Sequence, residues 1–377
     1  MLAEAEPLPR VPRVRRLALD RLRGIVMVLM AIDHASGVFN AGRLVTDGAT
    51  LYRPGTVLPA AQFLTRWITH LCAPTFVFLA GAALALSVNR RRALGDDERT
   101  IDRFIASRGL FIAALDPLWM SWVFAPGHVL LQVLYAIGFG LVAMVPLRRL
   151  PDRAVLVTGL VLAVAGEAIT GLVLAADGGT PGIATGLLLT GGQFGPVIVA
   201  YPLVPWLAMM LLGWWFGGFV QRSGAERARG LVAVASLVVL ATFLLVRGAD
   251  GYGNMRLLRD DGSLVQWLHV SKYPPALAYT TLELGLAAAI LAGLLSATGP
   301  RDTVAGPLAV LGQTALFFYV LHVHVLVLVG RALHLEHATG IAGAYVGGLA
   351  ITAALYPLCA RYRRYKRAHP DGWARYL

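Results

Sequence analysis

Arg23 and His34 stand eleven residues apart, and the stretch between them is apolar until Asp33. A helix turns about 100° per residue, so this spacing is about three turns. It puts the guanidinium and the imidazole on one face, roughly 16 Å apart along the axis. Asp20, Met27 and Met30 fall on the same stripe, and Asp33 points about a quarter turn away. An ionisable group at the centre of a membrane helix costs roughly 2.5–3.5 kcal/mol on insertion scales, so such a group is kept for a use. An imidazole can take a proton from a hydroxyl or amine near neutral pH, which makes His34 a candidate general base. The competing reading is structural, with Asp33 bonded to a neighbouring helix and His34 packed with one hydrogen bond.

Other residues able to do chemistry lie further along the chain. His70 sits near the outer end of the second apolar segment, in Trp67-Ile68-Thr69-His70-Leu71-Cys72. A short hairpin would bring it into one pocket with His34; an interfacial structural histidine is the alternative. His322 and His324 are two residues apart, so they face opposite ways on a helix and do not form an i, i+4 metal pair. Tyr319 lies one turn before His322. Lys272, Tyr279 and Glu283 share a face if a helix begins near Pro274, with Lys272 just ahead of it. Asp116, beside Pro117, and Glu167 are further intramembrane acids, for which an interhelical hydrogen bond is as good a reading as catalysis. Arg91 and Arg108 belong to an arginine-rich face with Arg90, Arg92, Arg99, Arg103, Arg148 and Arg149. That face reads either as topology and lipid contact or as guanidinium forks for a phosphorylated donor. No glycine-rich nucleotide fingerprint or metal-ligand spacing is present, and Cys72 and Cys359 read as small buried hydrophobes.

The elements that must position these groups are membrane helices. The 377 residues are 57% hydrophobic and only 14% charged, against about 25% charged in soluble domains. The net charge of +12 comes from short basic clusters between apolar runs, which is the pattern of membrane topology rather than of nucleic-acid binding. Apolar segments long enough for ~30 Å of hydrocarbon predict an all-α polytopic bundle of about ten spans. They fall near 18–39, 67–88, 104–124, 128–147, 154–176, 197–220, 229–247, 274–296, 304–330 and 340–360. With the first residues placed inside, 25 of the 33 basic residues lie on one side, so both termini are expected in the cytoplasm. Residues 1–16 read as a cytoplasmic tail without the features of a cleavable signal, 17–361 as the transmembrane domain and 362–377 as a basic tail. The segment 177–196, flanked by glycines and Pro196, is a candidate re-entrant loop.

Several short motifs recur in order: Leu22-Arg23-Gly24, Asp33-His34, Ala73-Pro74-Thr75-Phe76-Val77-Phe78-Leu79-Ala80-Gly81, Tyr201-Pro202-Leu203-Val204-Pro205-Trp206 with Gly213, Tyr273-Pro274-Pro275, and Phe318-Tyr319-Val320-Leu321-His322. Their order and spacing resemble the bacterial DUF1624 membrane acyltransferase-like proteins, relatives of the lysosomal heparan-α-glucosaminide N-acetyltransferase. Arg23 with His34 also resembles the acyltransferase-3 pattern, whose histidine at that place is functionally required. The resemblance implies an integral enzyme of the bacterial cytoplasmic membrane. It would move an acetyl or other acyl group from cytoplasmic acyl-CoA, a co-substrate and not a tightly bound cofactor, to a sugar or other cell-envelope acceptor.

On this reading His34 is the base, with Asp33 and His70 as supporting or alternative groups. Tyr319, His322, Lys272 and Glu283 line the substrate pocket, and Arg23, Arg91 and Arg108 hold the donor's phosphates. The chain departs from the lysosomal enzyme, whose catalytic histidine lies in the loop before the second span, because residues 41–66 contain no histidine. His34 falls where that enzyme has an asparagine, and His70 where it has an acid. Heparan acetylation is therefore not carried over. Membrane lipids are the expected surroundings, nucleic acid is not an expected partner, and a homodimer stays open. Two other classes remain: a proton-coupled transporter with Asp33, Glu167 and Glu283 as relay, and a non-catalytic membrane subunit.

Overall fold

Hydrocarbon offers the backbone no hydrogen bonds, so apolar segments of this length satisfy their own as helices. The computed structural model describes residues 13–223, 225–298, 306–369, 372, 374 and 376, so most of the expected N-terminal tail lies outside the described residues. α1 (Arg13–Phe39) is followed by α2 (Ala60–His70) and α3 (Cys72–Ala93), which run on as one pass. α4 (Glu98–Leu115) continues through a π-helical turn, Asp116–Met120, into α5 (Ser121–Phe124). After the short strand β1 (Val129–Leu131) come α6 (Val133–Leu147), α7 (Asp152–Ala176) and the single turn α8 (Ile183–Thr185). A second π-helical turn, β2 (Gly192–Phe194) and β3 (Val197–Val199) lead into α9 (Leu203–Arg222). The rest is α10 (Ala225–Ala249), the short α11 (Leu264–Leu268), α12 (Leu277–Ala297), α13 (Pro307–Gln313), α14 (Ala315–Ala332) and α15 (Ile341–Ala368).

The molecule is an all-α polytopic helix bundle. Among the described residues, eight helices are long and apolar enough to cross a membrane, counting α2–α3 as one. This corrects the expectation of about ten uniform spans. The expected span 104–124 is broken at its Asp116-Pro117 step, and that at 128–147 reduces to the 15 apolar residues of α6. The start of α1 and the end of α15 lie at one end of the bundle, where Gln313 donates to Asp20 Oδ2 at 2.9 Å and accepts from Arg367 at 3.3 Å. α15 also runs seven residues past 361, into the stretch expected as a tail.

α1 is the central element and touches α3, α12, α13, α14 and α15. Glycine makes its closest crossing. A Cβ on Gly24 would lie 2.0 Å from Leu308 O and one on Gly312 1.9 Å from Asp20 O, so α1 and α13 meet backbone to backbone. α3 and α9 meet the same way, with a Cβ on Gly213 falling 1.9 Å from Phe78 O. At the end away from the termini, β1 pairs in parallel with β3 and β2 antiparallel with it, in the order β1-β3-β2. The segment 177–196 is thus a turn and hairpin of this small sheet. Two longer loops, 40–59 and 250–276, close the same end. Tyr52 OH donates to Asp260, Gln266 Nε2 donates to Tyr52 OH at 2.9 Å, and His269 Nε2 donates to Thr46 O at 2.8 Å. Fully buried Arg247 holds the second loop by donating to the carbonyls of Leu257, Gln266, Trp267 and His269 and to Asn254 Oδ1.

Candidate active site

His34 meets His322. Nδ1 of His34 lies 2.7 Å from Nε2 of His322, with the rings 14° from parallel and their centroids 4.9 Å apart. His322 is fully buried on α14, and its Nδ1 lies 3.0 Å from the carbonyl oxygen of Phe318 one turn back. The edges of Phe124 and Tyr319 close around His34, at centroid distances of 5.2 and 6.0 Å. The half-turn between His322 and His324 has the consequence read from the sequence. His324 faces out between Trp119 and Trp122, with ring centroids 4.6 and 4.8 Å away.

Below this pair lies a cavity of about 310 Å³, bounded by α1, α3, α4, α6, α13, α14 and α15. Its walls are apolar, with Met27, Phe76, Ala80, Leu84, Ile105, Ile112, Leu134, Ile137, Leu141 and Leu316 among them. Its polar lining is segregated. Arg23, Arg108, Lys366, Gln313 and Ser87 lie towards the end that holds the termini, and Tyr319 lies towards the His34–His322 pair. The α3 residues along it run from Ser87 to Phe76, eleven helical steps or about 16 Å. Arg23 is tied down, its Nη1 donating to Asp20 Oδ1 at 3.3 Å and to Gly312 O at 3.2 Å. Arg108 makes no hydrogen bond or ion pair among the described residues, and its Nε is buried without an acceptor. A half-buried guanidinium left unpaired at a cavity wall is a place for an anion.

Asp33 does not serve His34. It faces the other way, where Oδ1 takes Arg66 Nη1 at 2.7 Å, Arg43 Nη2 at 3.0 Å and Thr69 Oγ1 at 3.0 Å, while its carbonyl oxygen accepts from Arg43. Arg66 passes on to Asp47, with Nε 2.8 Å from Oδ2. Burial alone would raise the Asp47 carboxyl, but Arg66, then His70 and Lys272, outweigh it and hold the group well below the usual carboxylate range. His70 belongs to this network and not to a pocket with His34. Its Nε2 lies 3.2 Å from Asp47 Oδ1 without hydrogen-bond geometry, and its ring edge packs on Tyr279. The network joins α1, the 40–59 loop and α2, so it fixes the outer half of α1, and with it the height and rotation of His34.

The remaining expected site residues scatter. Lys272 is buried beside the rings of Tyr273 and Tyr201, 5.2 and 6.0 Å from their centroids. Its backbone N–H donates to Asp47 O at 2.8 Å, ahead of α12, which starts at Leu277. Glu283 is buried on α12 with Oε1 lacking a partner. Arg91 pairs with Asp96 at 2.8 Å and holds its guanidinium carbon 3.7 Å over the ring of Phe104, a wall residue, without itself reaching the cavity. Asp116 accepts the backbone N–H groups of Gln132 and Tyr135, both at 2.7 Å, so it caps α6 across the π-helical break. Glu167 accepts the N–H groups of Gly253 and Met255 at 2.6 and 3.1 Å and anchors the second outer loop. No hydrogen bond joins Asp33, Glu167 and Glu283 among the described residues. Sequence reasoning passed over Lys366, which looks like one more cation of a basic helix end. It also passed over the Arg66–Asp47 pair, for which an arginine at the head of Arg66-Trp67-Ile68, beside a membrane boundary, was the available signal.

A cavity among membrane-length helices, with cations at one end and an imidazole pair beyond the other, suits group transfer within a membrane. The sequence comparison narrows this class. Residues 15–248 match the family described as heparan-alpha-glucosaminide N-acetyltransferase, catalytic. The match covers more than half of the chain, and the chain belongs to this family of membrane acetyltransferases. No curated protein matches it.

Proposed function

We propose that the protein transfers an acetyl or other acyl group from acyl-CoA to an acceptor presented from the opposite face of the membrane. The observation that carries the reading is the cavity, cationic towards Arg23, Arg108 and Lys366 and closed by Tyr319 below the His34–His322 pair. The cationic end takes the donor's phosphates. The apolar walls pass the thioester arm inward, and the acyl carbonyl stops near Tyr319. The acceptor hydroxyl or amine attacks that carbonyl while His34 takes its proton. The carbon–sulfur bond then breaks, and His34 returns the proton to the departing thiolate, so the donor leaves as the free thiol and His34 is neutral again. Lys272 and Glu283, on the outer side, are the groups nearest an acceptor's approach. The basic bias of the terminal end supports placing that end, and the donor, in the cytoplasm of a bacterium, with a sugar or other envelope molecule as acceptor.

The test is transfer of label from labelled acetyl-CoA to cell-envelope extract by the purified protein. Positioned general-base catalysis is worth about 10²–10⁴-fold, so His34→Ala and His34→Gln should lose that much with insertion and thermal stability retained. Near-normal transfer by His34→Gln, which keeps a polar group but no base, makes His34 structural and removes the mechanism.

A further inference from the structure

We propose that His322 is a positioning residue that fixes the tautomer of His34 and thereby makes His34 Nε2 the atom that accepts the acceptor's proton. A carbonyl oxygen only accepts, so the 3.0 Å contact between His322 Nδ1 and Phe318 O places a hydrogen on Nδ1 of His322. A neutral imidazole carries one N–H, so Nε2 of His322 then holds a lone pair. That lone pair faces His34 Nδ1 at 2.7 Å, and the contact is a hydrogen bond only if His34 Nδ1 is the donor. His34 is therefore held as the Nδ1–H tautomer, with the lone pair on Nε2. The one escape is a His322 imidazolium donating from both nitrogens. His322 is fully buried and meets no carboxylate among the described residues, and an unpaired charge there is costly.

The surroundings hold both rings in this arrangement. The ring of His322 lies against that of Phe318, with centroids 4.8 Å apart and planes 13° from parallel, and its Nε2 edge meets the Nδ1 edge of His34. His34 is held by the edges of Phe124 and Tyr319. Its Nε2 makes no hydrogen bond among the described residues and, unlike both ring nitrogens of His70, is not sealed off from approach. Fixing a tautomer through the other ring nitrogen is the task a carboxylate performs for many catalytic histidines. Asp33, the carboxylate nearest in sequence, is engaged by Arg43 and Arg66, and here a second imidazole does the work. The catalytic consequence rests on the acyl-transfer reading; the tautomer does not.

The experiment uses the full-length protein in lipid nanodiscs, labelled with ¹⁵N at histidine, as wild type, His322→Gln and His322→Leu. His34 signals are assigned by their loss in His34→Gln. Wild type should show protonated Nδ1 and bare Nε2 at His34. The Gln variant, whose Oε1 accepts as Nε2 did, should keep that pattern, and the Leu variant should revert to the Nε2–H form preferred by free histidine. With acetyl-CoA as donor, His322→Leu should lower kcat about 10²-fold or more at nearly constant KM, in the direction a wrong tautomer acts in hydrolytic triads, and His322→Gln should restore most of it. A bare Nδ1 on His34 in wild type, or an unchanged His34 pattern in His322→Leu, overturns the proposal. Wild-type protein inactive on acetyl-CoA would instead remove the acyl-transfer reading, while the ¹⁵N spectrum would still decide the tautomer.

Discussion

Replacing Arg108 by Gln separates a donor site from a merely basic membrane face. Arg108 is half-buried at the cavity wall, its Nε has no acceptor, and no acid neutralises it among the described residues. A hydrogen bond to a charged group contributes about 1.5–3 kcal/mol, and 1.4 kcal/mol is tenfold in affinity, so losing one phosphate contact should weaken CoA binding roughly 10- to 150-fold. Arg91→Gln is the matched control. Arg91 is satisfied by Asp96 and lies behind Phe104, so the same change there should alter affinity by less than about twofold, the scale of a surface ion pair. The assay is calorimetric titration of CoA, which lacks the reactive acyl group, into nanodisc-embedded protein at two salt concentrations. Salt should weaken the wild type less than it would a fully exposed site, because partly buried contacts are screened less. The unliganded Arg108→Gln protein should unfold no earlier than wild type, since the substitution removes an uncompensated, desolvated charge. Equal CoA affinity in wild type and Arg108→Gln, or an equal loss in Arg91→Gln, would refute the assignment of the cavity to the donor.

Other expectations rest on packing, charge and topology. Gly312→Ala places a Cβ 1.9 Å from Asp20 O and must push α13 from α1, which should cost about 1–3 kcal/mol and lower the thermal midpoint; an unchanged midpoint would show that the crossing is not close. His269 has its imidazole pKa pushed down by burial, against the Thr46 carbonyl it donates to, and its Nδ1 is buried without a partner. The folded state therefore binds fewer protons, so stability should be complete above the ordinary histidine pKa and fall as the pH drops below it. Limited proteolysis of the 40–59 and 250–276 loops should accelerate between pH 7 and pH 5, and His269→Gln should flatten that dependence. Reporter fusions at residues 95 and 255 should report opposite sides of the membrane, because Gly95 follows a descending pass and Met255 an ascending one; the same side for both would contradict this order of helices.

Periodicity and apolar length made the passes legible, because a helix in hydrocarbon is dictated locally, by the segment's own composition. They did not show how evenly each pass is built. The break at Asp116 follows from Pro117 together with a carboxylate that finds Gln132 N–H and Tyr135 N–H sixteen and nineteen residues away. The same division governs the site. Arg23 and His34 were legible as a pair because both lie on one helix at a countable spacing. The half-turn between His322 and His324 told that one of them faces inward, but not what it meets. The partner of His34 lies 288 residues away, and the close packing of α1 against α13 at Gly24 and Gly312, and against α14 itself, brings it within reach. The carboxylate next in sequence to His34 was the natural partner to expect. Successive helical residues diverge by about 100°, so Asp33 turns to the arginines of the outer network when His34 turns inward. A base chosen by sequence proximity would thus have been given the wrong helper. The helix geometry leaves Asp33 the task of holding α1 in place, and leaves the inward face of His34 to His322, an imidazole that accepts from Nδ1 without bringing a charge into a buried site.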